Sequence, residues 1–180
     1  PSASSAASDV YKRQNLLINS SILGFAVGIF TIFFATALSL SYRQSNKLKS
    51  LISISTSGYA IPGSVISAGL LIGFDAIFGT SITIYGIFGL ILCLSLRFMT
   101  PAYNYSSSSL ANISKSSENA LSLIPSNPLK AFSSFYYPQM KSALFLGFMI
   151  VFIESVKEQA ATLLLRPVSY THLRAHETVL

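Results

Sequence analysis

Ionisable side chains are sparse in this sequence. Its 180 residues include six acids, twelve lysines and arginines, two histidines and one cysteine. A single cysteine excludes an internal disulfide and says little about redox compartment. Both histidines, His172 and His176, fall near the end of the chain. Their spacing suits one side of a helix, as a zinc site can use. No further histidine supports them, and Cys93 lies in an apolar run, so a metal centre lacks ligands. No glycine-rich phosphate loop is present. A sequence this poor in charge, with 51% hydrophobic residues, reads as a membrane protein rather than a soluble domain.

The two ends differ in composition from everything between them. Residues 4–14, SSAASDVYKRQ, and 168–178, VSYTHLRAHET, each resemble one of the paired adapters of transposase-based sequencing, translated in frame. Residues 1–14 and 168–180 are therefore expected to be adapter-derived and are set aside in reading the fold. Between them stand nine basic residues: Arg43, Lys47, Lys49, Arg97, Lys115, Lys130, Lys141, Lys157 and Arg166. Four acids face them: Asp75, Glu118, Glu154 and Glu158.

A bilayer-crossing helix needs about 20 mostly apolar residues. Runs at about 16–40, 58–78, 82–97 and 142–157 meet or approach that length. The expected fold class is all-α, a polytopic transmembrane helix bundle. Seven basic residues lie in the two segments 41–57 and 97–141, and none lies in the connection around 79–81. The positive-inside rule then puts both segments in the cytoplasm and accounts for the basic excess without nucleic acid. Tyr42, Tyr59, Tyr136 and Tyr137 fall where interfacial tyrosines anchor helices. Gly24 with Gly28, and Gly69 with Gly73, have the spacing that lets helices approach closely in lipid.

The segment at about 98–141 is read as one long cytoplasmic loop, and loops of this length are usually functional or disordered. After a serine-rich start comes a short helix, SSENALSL, which Ser116 or Ser117 can cap and whose positive end favours Glu118. Pro125 and Pro128 break it, and LKAFSSF reads as a second short helix before Pro138. Such a hairpin can fill a partner's groove or rest on the membrane; the residues alone allow both.

The order ENALSLIPSNPLKAFSSFYYP resembles the EAA loop of ABC importer permeases. Glu118, Ala120 and Pro138 match that pattern. Asn119 replaces its middle alanine, Tyr137 its leucine, and Ile124-Pro125 its glycine with one extra residue. GYAIPGSVISAGLL at 58–71 and VFIESVKEQAATLLLRP at 151–167 are similar to segments of the iron(III)-type permeases. The resemblance covers 15–167. It implies an incomplete type I ABC importer permease (ABC transmembrane type-1) fold, corresponding to the C-terminal half of a two-half chain and lacking its final span.

What the resemblance implies is a multi-pass subunit of a bacterial inner membrane, not an enzyme and without a cofactor. Its partners would be a cytoplasmic ABC ATPase, a periplasmic substrate-binding protein and membrane lipid. Glu118, Asn119, Ala120, Pro125, Ser126, Asn127, Pro128 and Leu129 would form the ATPase-coupling loop. Ferric iron is the implied cargo; thiamine, polyamine or sulfate permeases are related. An ion-coupled secondary transporter is the alternative, and it calls for ionisable groups at mid-bilayer. Glu154, Lys157 and Glu158, at i, i+3 and i+4, would share one face at the outer end of the fourth helix. They read as an ion-paired helix end, or as a path for a hard cation.

Overall fold

The computed structural model describes residues 3–44, 48–78, 86–122 and 127–158, and no strand occurs among them. Helix α1 runs Ala3–Gln44, α2 Lys49–Ser57, α3 Gly63–Phe78, α4 Gly86–Arg97 and α5 Met99–Ala111. Two short helices follow, α6 Lys115–Ser122 and α7 Pro128–Ala131, and then α8 Tyr137–Lys157. Among the described residues two helical stretches are long and apolar enough to cross a membrane, Leu17–Gln44 in α1 and Pro128–Lys157, which joins α7 to α8. At 1.5 Å per residue each is about 40 Å long, more than the hydrocarbon thickness needs.

Helices α1 and α8 pack antiparallel. Gly24 faces Phe152 and Val156, Gly28 faces Phe148, and Leu40 packs against the cluster of Leu110, Ile113 and Met140. A Cβ on Gly28 would lie 2.6 Å from the Phe148 ring, which Phe25 and Phe152 flank at 5.3 and 6.2 Å between centroids. Gly147 returns the contact from α8, since a Cβ there would lie 2.9 Å from Ile32 and 3.1 Å from Tyr105. The expected second pair behaves differently: nothing stands within 4 Å of a Cβ at Gly69 or Gly73. We expect Gly28→Ala to cost about 1–2 kcal/mol through overpacking. Gly73→Ala should instead be neutral or stabilising by up to about 1 kcal/mol, because it relieves only glycine's helix penalty. Denaturant titration in micelles separates the two.

Helix α5 corrects the reading of 98–141 as a loop. Its serines suggest solvent, yet Ala102, Ser106, Ser109 and Leu110 form one buried face at helical spacing. Serine is small enough for close helix approach and can satisfy its own hydroxyl on the preceding turn. The Ser109 hydroxyl donates to the Ser106 carbonyl at 3.3 Å, and Ser106 lies 3.3 Å from Thr36 of α1. The same back-bonding serves buried Thr31, Ser39 and Ser67.

The third expected span is half of a bent helix pair. Helices α4 and α5 meet at Phe98 with a 53° bend. Pro101 has no N–H to give the Arg97 carbonyl and crowds it, which is the physical cause of a kink. The second expected span is broken as well: a 3₁₀ turn, Gly58–Ala60, leads to extended Ile61 before Pro62. A residue before proline is pushed toward that conformation. The two breaks lie against one another, because Gly58 abuts the Leu96 carbonyl and the Thr100 hydroxyl donates to the Thr56 carbonyl.

The fourth span starts earlier than position 142. Phe132–Tyr136 is a π-helical turn that joins α7 to α8, so Pro138 falls in the first turn of α8 instead of ending a helix. Within this continuous stretch Pro138 has no N–H to give the Ser134 carbonyl, and the π-helical turn stands where that bond is missing. Large apolar side chains remain exposed along Ile18, Ile22, Phe25, Ile29 and Phe33 of α1, and at Phe145, Leu146 and Ile153 of α8. A surface of this kind is consistent with a membrane protein.

Candidate functional site

At the end of the bundle where α1 finishes, one arginine ties three helices together. Arg43 donates from Nε to both Glu118 oxygens, at 2.7 and 2.9 Å. Its terminal nitrogens donate to the carbonyls of Leu110 and Ile113, at and just beyond the C-terminus of α5. Helix ends leave such carbonyls without intrahelical donors, and their partial negative charge favours a cation. The Tyr136 hydroxyl also bonds to Glu118. Both members of the ion pair are largely covered, with side chains 18% and 16% exposed.

Glu118 therefore points back into the bundle rather than out toward a partner. It fixes α6, whose outer surface presents Asn119 and Ala120. The α6 cap is Ser114 and not Ser116 or Ser117: its hydroxyl accepts from Ser117 N at 3.3 Å. At the next helix the Asn127 side chain accepts from Leu129 N at 3.1 Å, with Pro128 in the first turn. That is the arrangement in which a missing proline N–H costs least. Leu129 is 78% exposed. Pro125 and Ser126 lie outside the described residues.

The second polar locus is at the far end of α8. Glu154 and Lys157 pair at 3.0 Å on an exposed surface. Glu158 does not share their face, because it leaves helical conformation and closes on Arg97 at 3.4 Å. This also corrects the placement of Arg97 with the basic loop residues. It sits at the opposite end of α8 from Lys141, held over the Phe98 ring and within 3.4 Å of the Ile61 carbonyl. Gly63 leaves room for the pair, since a Cβ there would lie 2.7 Å from Glu158 Oε1 and 2.8 Å from Arg97 Nη1. Ser95 Oγ, Arg97 Nε and Ser155 Oγ are buried without a hydrogen-bond partner among the described residues.

Sequence reasoning could not bring Arg43 to Glu118 or Arg97 to Glu158. The partners lie 75 and 61 positions apart in the chain, beyond the reach of any local pattern. His172, His176 and Glu177 fall outside the described residues, among which no three histidine, cysteine or carboxylate side chains gather as a metal site. Neither the known protein-family models nor the curated proteins include a match to this chain.

Proposed function

We propose that this chain is a membrane-embedded permease segment of a binding-protein-dependent ABC importer. Helices α6 and α7 would receive the conformational signal of a cytoplasmic ATPase. The observation that carries the reading is the Arg43–Glu118 anchor. It ties a short helix at the bundle end to α1 and α5, while the outer side of that helix stays exposed. A force applied to α6 would then reach the long helices through an ion pair and two carbonyl bonds, a physical route for coupling. The resemblance of 118–138 to the EAA loop supports the same role, and the resemblance of 151–167 supports ferric iron as cargo. A periplasmic binding protein would deliver that cargo from the other side.

Replacing Ala120 with cysteine is expected to give a crosslink to an ATPase subunit in native membranes. The natural Cys93 is buried and should not compete. Crosslinks to lipid-facing or unrelated proteins alone would overturn the proposal. An ion-coupled transporter is favoured by one observation, the largely covered Arg97–Glu158 pair with unpartnered donors on the same helix ends. Transport by proteoliposomes that contain no ATPase would decide for that second reading.

A further inference from the structure

A groove of about 440 Å³ runs along the outside of α1 and α8, with Ile29, Phe33, Ala37 and Leu40 on one wall. Leu129 and Phe132 close one end, and Tyr137, Leu144 and Phe148 form the other wall. The lining offers almost no polar surface. The lining residues carry two hydroxyls, on Thr36 and Tyr137, and that of Thr36 is already spent on the Ile32 carbonyl at 2.7 Å. From Ile29 to Leu40 the wall is about 16 Å long at helical rise, close to the roughly 15 Å depth of one leaflet's hydrocarbon.

The end closed by Leu129 is basic. Lys130 follows Leu129 directly and is exposed. Lys141, also exposed, stands four residues after Tyr137 and three before Leu144, which puts it on the groove face of α8. The acids of α6 and α8 do not offset these charges: Glu118 is held by Arg43, and Glu154 and Glu158 lie at the opposite end of α8. We infer that the groove binds one acyl chain of an anionic phospholipid, whose headgroup is attracted by the positive potential of Lys130 and Lys141. An apolar slot of one leaflet's depth takes the chain, and two ammonium groups select the headgroup. The inference rests on membrane embedding but not on an ATPase partner, so failure of the Ala120 crosslink would leave it standing.

The test is native mass spectrometry of the full chain released from micelles doped with equal phosphatidylglycerol and phosphatidylcholine. The expected result is a retained phosphatidylglycerol adduct. Lys130→Gln and Lys141→Gln should each reduce the preference over phosphatidylcholine by about fivefold. Ala37→Trp fills the groove from an exposed position and should abolish both adducts while leaving the circular dichroism unchanged. Equal lipid retention by Ala37→Trp and wild type would overturn the inference, as would a preference indifferent to both lysines. A lipid-free dimer that Ala37→Trp converts to monomer would assign the groove to a second copy and overturn it as well.

Discussion

Arg43→Ala is expected to lower the unfolding free energy by about 3 kcal/mol, the larger of two effects foreseen at single residues. The substitution leaves Glu118 as a covered carboxylate without its cation, and it removes the donors on the carbonyls of Leu110 and Ile113. Leaving one partner of such a pair uncompensated costs more than the pair itself contributes. The double variant Arg43→Ala with Glu118→Gln should therefore recover part of the loss, which a double-mutant cycle would measure. Arg43→Lys restores charge but not the planar fork that reaches both Glu118 oxygens and two carbonyls, so its recovery should be incomplete. Denaturant titration followed by circular dichroism in micelles gives the values. A loss below about 0.5 kcal/mol for Arg43→Ala would place the anchor among surface ion pairs of little consequence. If α6 transmits force as proposed, Arg43→Lys should also impair transport more than it impairs stability.

Gly58→Ala should cost about 2–3 kcal/mol, because the new methyl group meets a backbone atom rather than a side chain that can swing away. The contact is the Leu96 carbonyl, next to the kink at Phe98, so relief requires the two broken helices to move apart. That movement would also stretch the bond from Thr100 to the Thr56 carbonyl. Gly69→Ala is the matched control, since open space surrounds that position. Comparable stability of the two variants would show that the kinks do not pack as described.

The apolar run 16–40 was legible because it is long, uncharged and unbroken; the structure begins its span at Leu17 and carries it to Gln44. The capping chemistry at Asn127-Pro128 was legible only as a break, although an asparagine before a proline is also a helix-start signal. Helix α5 was not legible. Hydropathy treats Ser106 and Ser109 as polar, whereas packing treats them as small, and only the presence of α1 and α8 on either side decides which property counts. The candidate site divides in the same way. The sequence marks 118–129 through proline, asparagine and a lone glutamate, but it does not show that Glu118 turns inward.

By itself the sequence determined an all-helical chain with stretches able to cross a membrane, since length and apolarity are properties of consecutive residues. The breaks before Pro62 and at Phe98 were not read from it, although each proline constrains its own neighbourhood, because the apolar runs at 58–78 and 82–97 carry no sign of them. Tertiary structure alone decided that those breaks lie against each other, that a serine face is core, and that Arg43 and Arg97 close on carboxylates 75 and 61 positions away. The physical reason is range. Hydrogen bonding and proline sterics act within a turn of helix, whereas a charge beside an apolar run is satisfied by whichever distant group the packing brings within reach.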